Sequence, residues 1–322
     1  MQQSAGWRWL GRFWLSVLLL LAVVIVVLQI LGPPRRTVVA PPAPVVALVT
    51  PAVWDGHIAA PDPALLEPSR AFPLSPLPRV GTDGRLPRLV YSRPVGAPGT
   101  RPRIALVLAG VGLSAADSRG AIDTLPGAIT LAFSAYALNP DALMEAARMG
   151  GHEVLASLPM EPAGYPSNDA GPRSLLTGAT PAANRDNLEW ALTRLQGYVG
   201  VTGAADGLRG ERFTDQRSSF GLVIEEIGRR GLLYVDPRPD APALPIVGRS
   251  VDLVVPDPSS RAEIEAKLAA LERMAREHGS AVGLAGPLRP ATIERIAAWA
   301  RDVEARGFEL VPISALVAEP RK

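Results

Sequence analysis

The sequence predicts an α/β domain with a parallel sheet, in the form of a distorted (β/α) barrel of seven or eight strands. Two observations predict it: from residue 101 onward eight short apolar runs alternate with longer segments of helical periodicity, and most of these runs are apolar at consecutive positions. Continuous apolar runs are typical of strands that are buried on both faces, as in parallel sheets. A doubly wound sheet is the alternative.

The N-terminus predicts a membrane anchor. The stretch Phe13–Leu31, "FWLSVLLLLAVVIVVLQIL", carries no charge, and its length as a helix, ~28 Å, is close to the apolar thickness of a bilayer. A cleaved signal peptide is the alternative. We therefore predict a short cytoplasmic tail and a single-pass inner-membrane anchor over residues 1–32, with the globular domain in the periplasm.

Residues 33–100 hold 15 of the 33 prolines of the chain. Proline at this density blocks helix interiors and sheet ladders and favours extended polyproline II. This composition predicts a disordered linker over residues 33–100, followed by a globular domain over residues 101–322.

The predicted strands are eight short runs, which begin at residues 104, 128, 152, 198, 232, 251, 281 and 308. Three clear helices lie between them, over residues 181–195, 259–279 and 290–307. A serine N-cap with Glu263 starts the second of these, and Gly279 and Gly307 stand as C-terminal caps. Because ligands of such folds bind at the carboxyl ends of the strands, the residues that follow each run are the candidate site.

Composition excludes several classes of function. The formal charge is +2 and the chain lacks an extended basic run, so nothing favours a nucleic-acid partner. The chain has no cysteine, which rules out disulfides, thiolate catalysis and cysteine zinc sites.

Several segments together resemble one family. They are "GAITLAFSAYALN" (127–139), "GHEVLASLPMEPAGYPSNDAGPRSLLTG" (151–178), "GYVGV" (197–201), "GLLYVDPRP" (231–239) and "FELVPISAL" (308–316). These segments are similar to the divergent polysaccharide deacetylases, and the likeness covers roughly residues 102–318. The resemblance implies a distorted (β/α) barrel, an envelope location and descent from metal-dependent hydrolases of acylated sugars.

The positions at which the resemblance implies metal-binding side chains carry residues that do not bind metals. Members of the family usually end the first strand with two aspartates, where this chain has Ala109 and Gly110. A histidine often stands at the position of Ser157. The usual asparagine–histidine segment is replaced by "GVTGAADGLRGERFT" (200–214). We therefore predict no metal and no cofactor; zinc or another divalent metal is expected only if the domain is an active enzyme.

The remaining polar residues at the strand ends are the candidates for function. Glu161 and Asp236 are the candidate catalytic acids, each with the alternative of a structural role. His152 opens a strand at the opposite end, and His278 precedes a helix cap, so both are expected to be structural. The ligand-binding candidates are Tyr136, Tyr165, Asn168, Asp169, Arg238 and Arg289.

Three functions follow. The first is a membrane-tethered, catalytically degenerate deacetylase-like domain that binds a cell-envelope glycan or an envelope protein. The second is an active metal-dependent deacetylase that uses the two acids. The third is a structural or assembly protein without a small-molecule site.

Overall fold

The computed structural model describes residues 5–31, 54–255 and 260–319, and the chain divides into two compact units, residues 1–50 and 51–322. The first unit contains one helix, α1 (Ala5–Leu31). Within the described ranges, no helix meets both the length and the apolar content that crossing a bilayer requires. The membrane anchor stays a prediction from the sequence.

The predicted disordered linker is wrong for residues 54–100, which we call the strap. The strap forms a short 3-10 helix (Pro63–Leu65), β1 (Leu66–Glu67), β2 (Leu77–Pro78) and α2 (Pro87–Val90). Its apolar side chains explain the order: Ile58, Leu65 and Tyr91 are buried in the same cluster as barrel strand residues. The part of the linker prediction over residues 33–53 lies outside the described residues.

Over the described residues, the sheet has nine parallel strands in the order β8-β7-β6-β5-β4-β3-β10-β9, with β11 beside β3. All eight predicted runs form strands, and β8 is the one that the sequence did not indicate. The strands are β3 (Arg103–Val111), β4 (Thr130–Ser134), β5 (Val154–Ser157), β6 (Gly200–Thr202), β7 (Leu233–Asp236), β8 (Gly248–Ser250), β9 (Leu253–Val255), β10 (Ser280–Ala285) and β11 (Glu309–Leu310).

The sheet curves into a half-barrel whose two edges come from one short segment. β8 and β9 are the edge strands, and only Val251 and Asp252 separate them. Val251 N donates to Asp236 O on one side (2.9 Å), whereas Asp252 N donates to Val282 O on the other (2.8 Å). A parallel α/β barrel type is therefore confirmed, but the described edge strands are joined by the chain and not by a ladder between them.

Helices cover the outer face of the sheet. They are α3 (Ala115–Thr124), α4 (Asp141–Met149), α5 (Pro181–Thr193), α6 (Glu211–Asp215), α7 (Arg217–Arg229), α8 (Arg261–His278) and α9 (Pro290–Asp302). The predicted capping box of Ser260 and Glu263 is present, and Gly279 ends α8 with a φ of 81°. By contrast α9 ends at Asp302, before the predicted cap Gly307, because a turn follows the helix.

The strap is predicted to be part of the folding unit. Leu65 is fully buried with Ala105 and Val107 of β3, so Leu65→Ala should lower the free energy of unfolding by about 2–5 kcal/mol. Leu89 belongs to the same strap but is 64% exposed, so Leu89→Ala is the matched control and should change it by less than about 0.5 kcal/mol. Chemical denaturation measures both, and equal effects would show that the strap is only loosely attached.

A buried carboxylate joins the strap to the start of β5 and to the segment after β11. Glu153, at the start of β5, accepts hydrogen bonds from Arg93 N of the strap (2.8 Å), from Ser314 N (3.1 Å) and from Ser314 Oγ. Burial raises the pKa of Glu153 from its ordinary 4.5 to about 7, despite these donors and the nearby Arg93. The folded protein therefore holds a proton on this group in a pH range where the unfolded chain has lost it.

This raised pKa predicts that Glu153 makes the fold less stable as pH rises from about 4.5 to 7, by roughly 3 kcal/mol at most. Burial lowers the pKa of the neighbouring His152, which acts in the opposite direction below pH 6.5. The difference between wild type and Glu153→Gln therefore isolates the carboxylate. Melting temperatures at pH 5 and pH 8 measure this difference. The melting temperature of the variant relative to wild type should be higher at pH 8 than at pH 5. The same difference at both pH values would contradict the raised pKa of Glu153.

Candidate functional site

The carboxyl end of β3 is closed against the end of β10. Gly110 and Gly112 have φ values of 85° and 93°, a region that side chains rarely adopt. A Cβ on Gly110 would lie 3.1 Å from Leu288 N, and a Cβ on Gly286 would lie 2.9 Å from Ala109 O. A side chain at position 110 would therefore be strained, and Ala109 lies against the backbone at Gly286.

The space inside the barrel mouth is correspondingly small. A cavity of about 10 Å³ lies between these strand ends and the loop after β6, and its lining includes Ala109, Ala204, Leu208 and Gly286. This volume is about that of one water molecule. As bounded by the described residues, this cavity is too small for a sugar ring.

Ser157 is part of a row of hydroxyl groups on neighbouring strands. It is paired in register with Ser134 of β4 and with Thr202 of β6, and all three are buried. Ser134 Oγ accepts from Tyr136 N (3.1 Å) and Thr202 Oγ1 accepts from Ala204 N (3.2 Å). Ser157 Oγ has no hydrogen-bond partner within the described part of the chain.

These positions do not fit the metal ion that the resemblance implies. Ala109, Gly110 and Ser157 supply no carboxylate and no imidazole. In the described ranges, no three histidine, aspartate or glutamate side chains are grouped closely enough to hold a metal ion. All three histidines lie elsewhere: His57 Nδ1 is 2.7 Å from Met149 O, His152 Nδ1 is 2.8 Å from Ile129 O, and His278 is the last residue of α8.

Glu161, the first candidate acid, is held by three donors. Its side chain accepts from the backbone N and the Oγ1 of Thr177 and forms an ion pair with Arg212 Nε of α6 (2.9 Å). The carboxylate is buried, so these contacts offset its loss of hydration. This arrangement fixes the loop of residues 161–179, which we call the motif loop.

Asp236, the second candidate acid, is paired with Arg238. Its carboxylate is fully buried and accepts from Arg238 N (3.0 Å), Nε (3.0 Å) and NH2 (2.9 Å). Arg238 NH1 also contacts Asp215 Oδ1 of α6 (2.8 Å). The hydrogen bonds to Asp236 raise the pKa of Arg238 above its ordinary value, so the guanidinium group stays charged.

The two acids are thus connected through α6, which sequence reasoning missed. Arg212 contacts Glu161, and Asp215 of the same helical turn contacts the partner of Asp236. The signal was the charged segment "GERFTD" in the loop after β6, where the family usually has a histidine. α6 therefore holds two strand ends together through charge.

The remaining candidates separate into two groups. Tyr136, Asn168 and Asp169 stabilise the motif loop: Tyr136 OH accepts from Arg173 N, Asn168 Nδ2 donates to Ala163 O, and Asp169 Oδ1 accepts from Gly171 N. Arg289 is exposed at the N-cap position of α9. Neither group converges on the barrel mouth.

Tyr165 lines an open groove on the outer side of the motif loop. The groove has a volume of about 490 Å³ and is lined by Glu161, Tyr165, Pro166, Leu176, Thr177, Gly178, Ala179 and Arg212. Glu161 and Tyr165 are therefore the two predicted site residues that share one surface. The groove combines an aromatic ring and aliphatic side chains with the hydroxyl groups of Tyr165 and Thr177, the carboxylate of Glu161 and the guanidinium group of Arg212.

Comparisons with known proteins identify the domain. The family model for "Divergent polysaccharide deacetylase" matches residues 106–317. The chain belongs to this family. It is also similar to the crystal structure of the uncharacterized protein ATU2773 from Agrobacterium tumefaciens, with 36% identity, a TM-score of 0.69, and coverage of 76% of this chain and 100% of that chain.

A more distant solved structure is the catalytic domain of peptidoglycan N-acetylglucosamine deacetylase from Eubacterium rectale. The two chains are 16% identical with a TM-score of 0.44, and the match covers 70% of this chain and 95% of that chain. This similarity is too low to bear on function. No curated protein matches the chain.

The pairing of Asp236 predicts a large effect of its arginine. Arg238→Ala would leave a buried carboxylate without its charge partner, so we expect a loss of about 3–5 kcal/mol in the free energy of unfolding. Arg229 pairs with Glu226 on the exposed surface of α7, and Arg229→Ala is the control, expected at about 0–1 kcal/mol. Urea denaturation distinguishes the two; similar losses would mean that Asp236 finds another partner.

Proposed function

We propose that this member of the divergent polysaccharide deacetylase family binds an envelope glycan without hydrolysing it, and that the groove beside Tyr165 is the binding site. The observation that carries the proposal is the closed end of β3, where Ala109 and Gly110 replace the expected acids and Gly286 lies against Ala109 O. Hydrolysis through a metal-bound water needs at least three protein ligands around an open position. Among the described residues, this end of the barrel supplies no such group of three ligands.

The two remaining acids support the same proposal. A general base must reach the proton that it removes and must be free to accept it. Glu161 and Asp236 instead have their oxygens engaged by Thr177, Arg212 and Arg238. Their positions favour a role in holding the motif loop and α6.

The groove has the chemistry that a sugar chain requires. A sugar ring presents apolar C–H faces and a rim of hydroxyl groups, which the ring of Tyr165 and the side chain of Leu176 complement on one side. Thr177 and the half-exposed Arg212 supply polar contacts along the same wall. A site of this kind binds without any bond being broken.

The test measures metal, turnover and binding on the full-length protein. We expect less than 0.1 equivalent of zinc, no acetate release from N-acetylglucosamine oligomers or peptidoglycan fragments, and calorimetric binding of the same fragments. Tyr165→Ala should weaken binding at least tenfold, whereas Leu138→Ala, on an exposed leucine after another strand, should not. One tightly bound zinc together with acetate release would establish the active deacetylase instead.

A second candidate, a structural or assembly role, is favoured by the small volume of the barrel mouth. It predicts that calorimetry detects no binding of the glycan fragments, either to the wild-type protein or to Tyr165→Ala. Attachment to the inner membrane and a periplasmic location rest on the sequence alone and stay predictions.

A further inference from the structure

The last part of the strap is attached to the barrel more lightly than the rest. Buried side chains hold the strap up to Tyr91, whereas residues 94–100 are all exposed. We call residues 92–100 the latch segment. Among the described residues, its hydrogen bonds to the barrel come from Arg93 and Gly96. A segment held in this way can open locally while the rest of the domain stays folded.

Arg93 is the residue through which the latch segment meets the start of β5. Its backbone N donates to Glu153 Oε1 (2.8 Å), and its NH1 donates to Gly151 O (3.0 Å). Its guanidinium group also stacks on Trp54, with the guanidinium carbon 4.2 Å from the ring centre. Trp54 is the first described residue of the strap. Arg93 therefore joins the latch segment both to β5 and to the other end of the strap.

The contacts of Glu153 suit a neutral carboxylic acid. The side chain is fully buried, and its partners are Arg93 N, Ser314 N and Ser314 Oγ. A protonated carboxyl group can donate to Ser314 Oγ and still accept from both backbone N–H groups. The ionised group keeps these donors but has lost its hydration. Burial outweighs the donors and raises the pKa of Glu153 to about 7.

The charged groups around Glu153 do not form an ion pair with it in the described part of the chain. Arg93 is the charged side chain that acts on it, but its guanidinium group is held by the contacts named above. The ring nitrogens of His152 lie against two backbone carbonyl groups outside the strap, and burial lowers the pKa of this ring. Ser314 carries no charge. Two further arginines near this end are each paired with a glutamate: Arg103 with Glu309, and Arg148 with Glu145.

A solvent-filled route to Glu153 lies beside the latch segment. Arg93, Val95 and Gly96 line a cavity of about 320 Å³, together with Glu304 and Pro312. Val95, Gly96 and Glu304 are exposed, so this cavity is in contact with solvent. Because Arg93 both lines the cavity and binds Glu153, an outward movement of Arg93 gives the carboxylate access to water.

We propose that the latch segment is a pH-sensitive switch, which is closed while Glu153 carries a proton and opens to solvent when Glu153 is ionised. In the open state Glu153 ionises near its ordinary pKa of 4.5, whereas the closed state holds the pKa at about 7. Opening therefore becomes more favourable as pH rises through this range and levels off above it. The proposal is independent of glycan binding, because its residues line neither the barrel mouth nor the groove beside Tyr165.

Hydrogen exchange of the full-length wild-type protein tests the switch. The Arg93 amide donates to Glu153, whereas the Ile58 amide of the same strap donates to Arg148 O (3.0 Å) and is the internal control. After correction for the intrinsic exchange rate at each pH, the opening constant at Arg93 should rise by at least about tenfold from pH 5 to pH 8, and that at Ile58 by less than about twofold. No rise at Arg93 would overturn the proposal. Equal rises at both amides would also overturn it, because the whole strap would then be opening.

Two variants assign the effect to one carboxyl group. Glu153→Gln keeps the shape of the side chain but cannot ionise, so it should remove the rise at Arg93. Glu304→Gln changes an exposed glutamate that lines the same cavity, and it is the matched control that should keep the rise. A rise that persists in Glu153→Gln, or that disappears in Glu304→Gln, would overturn the proposal.

Spin labels report the movement itself. The full-length chain contains no cysteine, so Val95→Cys and Glu304→Cys together place two labels at exposed positions of one cavity. Dipolar broadening between the labels should be present at pH 5 and should weaken at pH 8. Adding Glu153→Gln should keep the broadening at both pH values. Broadening that is the same at pH 5 and pH 8 without that substitution would overturn the proposal, whatever the result of the glycan experiment.

Discussion

The carboxyl end of the half-barrel depends on the neutralisation of two buried carboxylates by arginine side chains. An unpaired carboxylate in such a position costs several kcal/mol, which is a large fraction of the stability of a domain. Arg212 and Arg238 remove that cost for Glu161 and Asp236, and α6 ties the two pairs together through Asp215. The motif loop, α6 and the end of β7 are therefore fixed as one set of contacts.

The opposite end of the domain also contains a buried carboxylate, that of Glu153, but with different partners. Glu153 is as deeply buried as Asp236, but its hydrogen bonds come from backbone groups and a serine, not from an arginine side chain. These hydrogen bonds and the charge of the nearby Arg93 do not compensate for the lost hydration, and so the pKa of Glu153 rises. The end that holds the strap is consequently sensitive to pH, whereas arginine side chains contact the buried carboxylates at the other end.

The sequence predicts elements with local signals and misses those that depend on distant partners. The continuous apolar run of β3 and the Ser260–Glu263 capping box can be predicted because each structure depends on residues that are close together in the sequence. The strap reads as a linker because its few buried residues, such as Leu65, are scattered among prolines and become core only when the barrel is present. Likewise the sequence indicates acids at the strand ends, but the pairing of Glu161 with Arg212 joins positions 51 residues apart and has no local signature.

The absence of acids at positions 109 and 110 and the close approach of β10 to the end of β3 are linked by the backbone geometry there. A carboxylate at position 109 would need room that Gly286 now fills, and the backbone of Gly110 has a φ that disfavours any side chain. Replacing Ala109 or Gly110 by aspartate alone would therefore strain β3 before it created a ligand. The end of β10 would have to move as well, together with the loop after β6 that lines the same small cavity. The binding site that we propose beside Tyr165 agrees with this closure, because the groove lies outside the barrel mouth.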